Sequence, residues 1–137
     1  MKGVIGIIER EKKLLFGIET KNTPLKGKWR LLGGTVEKGE NSTEAMIREA
    51  LEEAKIKVEI IDYLGQTKGN LKEITLDLVY SKWISGELVA KIDEIDNLTW
   101  FNLREAKELN KEPASIYTLE LYEKYLENKK EEEKKIN

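Results

Sequence analysis

The segment that decides the fold is residues 33–56, which read GGTVEKGENSTEAMIREALEEAKI. Asn41 can cap a helix, and Glu44 follows at the spacing of a capping box, in which each side chain accepts a hydrogen bond from the other residue's amide. Apolar side chains then recur at the i, i+3, i+4, i+7 spacing of one buried helical stripe: Ile47, Ala50, Leu51 and Ala54. We therefore predict a helix over residues 41–54 that packs this stripe on a core.

Three carboxylates lie on the opposite side of this predicted helix, at Glu49, Glu52 and Glu53. Their i, i+3, i+4 spacing points them in one direction, since each residue turns the helix by ~100°. Like charges this close repel and raise each other's pKa, and a divalent cation would offset that repulsion. The alternative is a solvated glutamate-rich face, which is common in a chain with 36% charged residues. The helix alone does not decide between the two.

Gly33 and Gly34 follow a short apolar segment and lead into the loop before the helix. A glycine pair lets the backbone approach a helix closely and turn carbonyls or amides toward a ligand, although an ordinary glycine turn has the same composition. Arg48 lies one helical turn before Glu52 and can orient that carboxylate through an ion pair. The glycines and the helix together shift the balance toward a cation site.

Taken as a whole, the segment resembles the Nudix box, whose pattern is G-x₅-E-x₇-R-E-U-x-E-E-x-G-U, with U a bulky apolar residue. Every charged position is occupied, and the matching residues are Gly34, Glu40, Arg48, Glu49, Glu52, Glu53 and Ile56. Residues 27–29 and 98–101 resemble the flanking strands of such proteins, so the resemblance extends to about Leu126.

The segment departs from the Nudix pattern at a few positions. Lys55 stands where the family has glycine, Ala50 is smaller than the usual residue at U, and Leu32 replaces a proline often found before the glycine pair. The family glycine ends the helix in a left-handed conformation, so Lys55 predicts a different or strained ending at a cost of ~1 kcal/mol. The substitutions at positions 50 and 55 leave every expected metal ligand in place.

The resemblance implies an α+β fold, an α/β/α sandwich in which helices flank a mixed β-sheet, with a single domain over residues 1–137. Residues 129–137 are expected to form a charged, frayed helical tail. Periodicity and turn residues predict strands over 4–8, 14–18, 29–32, 57–64, 74–80, 87–91 and 98–101, and helices over 41–54, 103–110 and 113–128.

The resemblance also implies a loop–helix–loop site for Mg²⁺ or Mn²⁺. Carried over by position, the metal ligands are the Gly33 carbonyl, Glu49, Glu52 and Glu53, and the catalytic residues are Arg48, Glu49, Glu52 and Glu94. In this scheme Arg48 orients a glutamate and Glu40 supports the loop. Glu49 is a ligand or the general base, and Glu94 in the acidic loop 93–97 is the other candidate base. A polar turn is the alternative interpretation of that loop.

Contacts to a substrate are less clearly marked. Lys28 and Arg30 are candidate partners for phosphate, with solvated cations as the alternative. Phe16 and Tyr80 are candidate surfaces on which a base can stack, with an ordinary core role as the alternative.

The activity that the resemblance implies is hydrolysis of a pyrophosphate bond in a nucleoside diphosphate derivative. A nucleoside triphosphate leads, because residues 68–73 lack the proline typical of ADP-ribose-specific relatives. Tyr63 and Tyr80 also lie outside the position typical of dinucleoside polyphosphate hydrolases. Both of these substrates remain alternatives, and a nucleotide-binding sensor without hydrolysis is the alternative of another class.

Composition excludes several other chemistries. The chain has no cysteine and no histidine, which removes thiolate and imidazole metal sites and serine–histidine catalysis. Its net charge is −2, so we expect a nucleotide partner rather than a nucleic-acid polymer. No apolar stretch approaches the ~20 residues that span a membrane and no signal peptide is recognised, so a cytoplasmic protein is expected. By family resemblance it is a monomer or homodimer.

Overall fold

The computed structural model describes residues 1–69 and 73–136. Its strands are β1 Lys2–Arg10, β2 Lys13–Glu19, β3 Trp29–Arg30, β4 Leu32–Thr35, β5 Lys57–Lys68, β6 Thr75–Ser85 and β7 Ile95–Asn102. Its helices are α1 Ser42–Ala54, α2 Leu103–Glu108 and α3 Pro113–Ile136. The strands form one sheet in the order β3-β2-β1-β6-β5, with β4 also paired to β1 and β7 to β2.

Strand β1 lies at the centre of the sheet, parallel to β6 and antiparallel to β2 and β4. Successive side chains of a strand point to opposite faces, so β1 contributes to two cores. Val4 and Ile8 pack in the core under α1, whereas Ile5 and Ile7 pack in the core that includes residues of α3. The predicted mixed sheet flanked by helices is therefore confirmed, and burial on both faces explains the nearly continuous apolar sequence of β1.

Helix α1 begins with the predicted capping box. The Asn41 side chain accepts a hydrogen bond from the Glu44 amide at 2.8 Å, and the Glu44 carboxylate accepts one from the Asn41 amide at 3.0 Å. The predicted apolar stripe is wrong in part, because Ile47 and Leu51 are 38% and 55% exposed. The helix is turned so that a different set is buried: Ala45, Met46, Glu49, Ala50, Glu53 and Ala54. Small alanines let α1 approach the sheet, and this draws two glutamates inward.

Lys55 ends α1 in the conformation that glycine usually supplies. Its φ of 60° and ψ of 29° are left-handed, and its amide donates a hydrogen bond to the Leu51 carbonyl at 3.0 Å. A residue with a side chain costs about 1 kcal/mol in that conformation. Of the two endings expected from the sequence, the strained one is therefore found: Lys55 keeps the left-handed conformation of the family glycine.

Residues 87–91, predicted as a strand, do not form one. The Val89 amide donates to the Ala54 carbonyl at 3.0 Å, and the Lys91 amide donates to the Glu53 carbonyl at 3.1 Å. The last carbonyls of a helix have no hydrogen-bond donor within the helix. The amides of Val89 and Lys91 supply donors for two of these carbonyls. The backbone donors of this segment are thus used by α1 instead of by a neighbouring strand.

The C-terminal half differs from prediction mainly in element length. Strand β7 begins at Ile95 where residue 98 was predicted, and α3 continues to Ile136, so the expected frayed tail is helical over 129–136. Asn137 and residues 70–72 lie outside the described residues. Residues 70–72 are part of the segment 68–73, whose lack of proline entered the substrate prediction. Over residues 1–69 and 73–136, no helix combines the length and apolarity needed to cross a membrane.

Candidate active site

A cleft of about 470 Å³ opens beside α1. Its walls include Glu49 and Glu53 from α1, Arg30 from β3, Gly34 from β4 and Glu94 from the loop before β7. This volume lies within the range of small-molecule binding sites. The fold therefore brings the box residues into one cavity together with a residue from a distant loop.

Three carboxylates converge in the cleft. Glu49, Glu53 and Glu94 each offer an oxygen, and these oxygens all lie within 4.8 Å of one another. Glu53 is 1% and Glu49 8% exposed, whereas the Glu94 side chain is 25% exposed. Oxygen donors alone suit a hard cation such as Mg²⁺ or Mn²⁺. The group fits a divalent cation, and it contains Glu94 where the sequence predicted Glu52.

Arg48 orders the outer part of the cleft. Its Nη1 donates to Glu52 at 3.1 Å and to Glu49 at 3.0 Å, and the Glu52 side chain at this rim is 45% exposed. Its Nε and Nη2 donate to Glu40 at 2.7 and 3.0 Å, and Nη2 also donates to the Thr35 carbonyl at 2.9 Å. The ion pair expected between Arg48 and Glu52 is therefore present, and Arg48 also contacts Glu49 and Glu40, the residue expected to support the loop.

Arg30 lies inside the wall of the cleft. Its side chain is 12% exposed, and its Nη2 donates to Glu53 at 2.8 Å. Its Nε lies 3.2 Å from Glu19. The guanidinium therefore lies against protein carboxylates, whereas phosphate was its predicted partner.

The two glycines serve different contacts. The Gly33 amide donates to Glu53 at 2.9 Å, so the structure shows the amide of this residue at the carboxylates; ligation by its carbonyl stays a prediction. A Cβ at Gly34 would lie 2.5 Å from a Glu49 carboxylate oxygen. The backbone therefore approaches the helix closely, as expected from the glycine pair, and the missing side chain at Gly34 leaves room for the Glu49 carboxylate.

Three predicted substrate contacts do not reach the cleft wall. Phe16 is fully buried against Phe101, with ring centroids 6.3 Å apart, and Tyr80 is 7% exposed and 5.1 Å from Tyr122. A buried ring offers no free face to a base, so Phe16 and Tyr80 are corrected to core residues. Lys28 is half-buried and does not contribute to the cleft lining.

Three charged residues of the cleft wall that lie outside the box segment were not predicted from the sequence: Glu19, Lys21 and Glu112. They come from two distant segments and belong to no shared motif. One sequence signal could have pointed to Glu19 as a site residue: it is a charged residue at the end of an otherwise apolar strand.

The carboxylates are costly to ionise in the absence of a cation. Burial and the neighbouring Glu53 carboxylate raise the pKa of Glu49 to about 7, against the opposing effect of Arg48. Burial also raises the pKa of Glu53, against the opposing effect of Arg30. Because a bound cation favours the ionised form of its ligands, this local charge excess is a physical reason for one to bind here.

A pH-dependent stability difference is expected for Glu49→Gln in the presence of EDTA. The folded-state pKa of Glu49, about 7, lies above its ordinary value of 4.5. Ionisation therefore costs stability: the wild-type contribution is complete below the ordinary value and is lost as pH rises through about 7. The amide variant escapes this loss, so its melting temperature should exceed that of wild type at about pH 8 and the excess should shrink at about pH 5.

Thermal unfolding at the two pH values measures this difference, and Glu120→Gln, at an exposed position of α3, is the matched control. A Glu49→Gln excess that is equal at both pH values, or that grows toward acid, would show that Glu49 is not a buried ionised group at alkaline pH.

The fold and the site define a class of protein, an α/β/α sandwich domain with an acidic cleft beside its first helix. The sequence pattern of the NUDIX domain matches residues 1–122, and the chain therefore belongs to the Nudix family. An NAD-capped RNA hydrolase NudC from Pseudomonas fluorescens is 33% identical over 89 residues, which are 65% of this chain and 31% of that relative. The chain thus spans about a third of the length of the curated relatives it matches.

Solved structures agree with this assignment. A MutT NUDIX hydrolase from Burkholderia pseudomallei is similar with a TM-score of 0.78 and 26% identity, over 88% of this chain and 95% of that chain. The ORF135 protein of E. coli is similar with a TM-score of 0.73 and 28% identity, over 88% and 86%. The predicted Nudix fold is therefore confirmed.

Proposed function

We propose that this chain hydrolyses a pyrophosphate bond in a nucleoside diphosphate derivative, with Mg²⁺ as cofactor and Mn²⁺ able to replace it. The leading substrate is a nucleoside triphosphate, canonical or with a modified base, converted to the monophosphate and pyrophosphate. The observation that carries this proposal is the convergence of Glu49, Glu53 and Glu94, whose oxygens lie within 4.8 Å of one another in a cleft large enough for a nucleotide.

The residues divide into inner and rim positions. Glu49, Glu53 and Glu94 would hold the cation, with Glu52 completing the set at the rim beside Arg48. When bound, the cation neutralises phosphate oxygens and makes an attacking water more acidic.

Glu94 is assigned as the residue that accepts a proton from the attacking water. Its side chain is 25% exposed, so the proton can pass on to solvent, whereas the side chain of Glu49, the other candidate base, is 11% exposed and accepts a hydrogen bond from Arg48 at 3.0 Å. A proton acceptor must come within hydrogen-bond reach of the water it deprotonates and must then release the proton. Exposure therefore favours Glu94 over Glu49 for this role.

The apolar residues of the cleft suit the nucleobase of a substrate better than a second charged group of that substrate. Leu25, Ile74 and Leu76 line the cleft together with the acidic group. Apolar walls with a few polar groups are typical of sites for small organic ligands. The net charge of −2 argues against a long anionic polymer held by this chain alone.

A nicotinamide dinucleotide is the second candidate substrate. It is favoured by one observation, the similarity to proteins named NAD-capped RNA hydrolases, whose name states an NAD cap on the RNA. Since the chain covers about a third of those relatives, this observation supports the substrate class less directly than the cleft does.

A substrate panel tests both candidates. Purified protein with Mg²⁺ is incubated with canonical and oxidised nucleoside triphosphates, ADP-ribose, a dinucleoside tetraphosphate, NADH and NAD-capped RNA, and the products are separated by chromatography. We expect the highest kcat/KM with a nucleoside triphosphate and release of pyrophosphate. Higher kcat/KM with NADH or capped RNA would replace the leading substrate with the second one. Tight nucleotide binding without turnover under either metal would identify a sensor instead.

A further inference from the structure

Arg30 joins two parts of the acidic group that are far apart in sequence. Its Nη2 donates to the Glu53 carboxylate at 2.8 Å and to the Glu94 backbone carbonyl at 3.1 Å. One guanidinium nitrogen therefore connects helix α1 to the loop before β7. Since Glu49 lies on α1 beside Glu53, the same contact fixes how the Glu94 loop sits relative to both helical carboxylates.

Of the remaining guanidinium nitrogens, Nη1 forms a hydrogen bond, whereas Nε is close to a carboxylate without forming one. Nη1 donates to the Leu31 carbonyl at 3.1 Å, and Nε lies 3.2 Å from a Glu19 oxygen. The side chain is 12% exposed, so it has little surface left for a ligand. Planar nitrogens in a fixed fork suit several acceptors at once, which the compact ammonium of lysine cannot reproduce.

The strand that carries Arg30 is itself held on both sides. The Trp29 amide donates to the Asn110 carbonyl at 2.9 Å, and the Trp29 carbonyl accepts from the Glu112 amide at 3.0 Å. The Leu31 amide donates to the Ser115 hydroxyl at 3.0 Å. The backbone on both sides of Arg30 is thus hydrogen-bonded to residues 110–115, which suits a residue that sets a distance.

The charges around Arg30 agree with this role. The carboxylates of Glu19, Glu53 and Glu112 together raise its pKa above the ordinary value against the opposing effect of burial. One cation therefore compensates several buried anions, and its removal would leave Glu53 to be repelled by its neighbours.

We propose that Arg30 is a positioning residue, which holds Glu53 and the Glu94 loop at the separation that divalent-cation binding requires. This inference rests on the proposed metal-dependent hydrolysis, but it concerns the geometry of the ligands rather than the identity of the substrate. It also replaces the direct phosphate contact that the sequence suggested for this residue.

Arg30→Lys tests the proposal, because it keeps the charge and loses the fork. Mn²⁺ affinity is measured directly by electron paramagnetic resonance, without substrate, together with kcat and KM for the best nucleotide. We expect Mn²⁺ binding to weaken by at least about tenfold, as is typical for a partner of a metal ligand. We also expect kcat at a fixed Mg²⁺ concentration to fall more than nucleotide KM rises. Arg104→Lys, the same change at an exposed position of α2, should alter neither value.

A purely structural role for Arg30 would change the melting temperature and leave Mn²⁺ affinity and kcat unchanged in the folded variant, and that result overturns the proposal. If Arg30→Lys does not fold, Arg30→Gln with Glu19→Gln removes one buried cation and one buried anion together. Weakened Mn²⁺ binding in this double variant supports the proposal, and wild-type affinity overturns it. Because Mn²⁺ binding needs no substrate, absence of hydrolysis by wild type would contradict the proposed function without affecting this comparison.

Discussion

Glu53→Gln is expected to lower kcat for the best nucleotide substrate by at least about a hundredfold, or about 2.7 kcal/mol of transition-state stabilisation. Glu53 is 1% exposed and lies at the centre of the acidic group, where it accepts from Arg30 at 2.8 Å and from the Gly33 amide at 2.9 Å. The amide keeps the shape and removes the negative charge, so a cation loses an anionic ligand and Arg30 loses its closest partner.

The matched control for this prediction is Glu44→Gln on the same helix. Glutamine also serves in a capping box, so this variant should fold and turn over normally. Circular dichroism and Mn²⁺ titration accompany the kinetics, and Mn²⁺ affinity should fall only in Glu53→Gln. Full turnover in a folded Glu53→Gln would show that the buried carboxylate is not needed for hydrolysis and would remove the main support for its assignment.

Local features of the sequence predicted the framework of this site well. Asn41 and Glu44 form the capping box because its chemistry involves only residues three apart. Glu49 and Glu53 lie on the same side of the helix because their spacing of four is close to one turn. The left-handed ending at Lys55 also follows from its place in the pattern, although the residue is unfavourable there.

Tertiary packing decided the features that the sequence did not predict. Two overlapping stripes on α1 have nearly the same helical spacing, and the one with Met46 and the small alanines packs on the sheet while Ile47 remains exposed. Helical periodicity alone cannot choose between such neighbours. Arg30, the charged partner of Glu53, offsets the burial of that carboxylate, and no local pattern reveals this contact.

The positions of Glu94 and of the aromatic residues also depend on contacts between segments far apart in the sequence, which local patterns do not predict. Glu94 joins Glu53 through a loop whose position depends on how β7 pairs with β2. Phe16 lies on an apolar strand whose two faces are both covered, so its composition could not show which cavity it faced. Sequence therefore located the helix of the site and one candidate loop residue, and the sheet determined how they meet.

Gly34→Ala is expected to leave the protein folded and to lower turnover by about a hundredfold, comparable to loss of a well-placed catalytic group. Gly34 has no positive φ, so alanine fits its backbone conformation. Its new Cβ would lie 2.5 Å from Glu49 Oε1 and 2.6 Å from Glu49 Cδ, far closer than atoms tolerate. The carboxylate is the end of a flexible side chain, so it moves aside at little cost in stability and leaves the acidic group.

Gly33→Ala is the control that separates a displaced ligand from a damaged sheet. At this position a Cβ would lie 2.0 Å from the Val4 carbonyl oxygen and 2.7 Å from Ile5 Cα, which are backbone atoms of the central strand β1 and cannot move aside. We expect this variant to lose several kcal/mol of stability, whereas Gly34→Ala keeps its melting temperature within a few degrees of wild type. Mn²⁺ titration of folded Gly34→Ala should show weakened binding. If the methyl group at position 34 instead lowers the melting temperature as much as the one at position 33, or leaves turnover unchanged, the close approach between β4 and Glu49 does not govern the site.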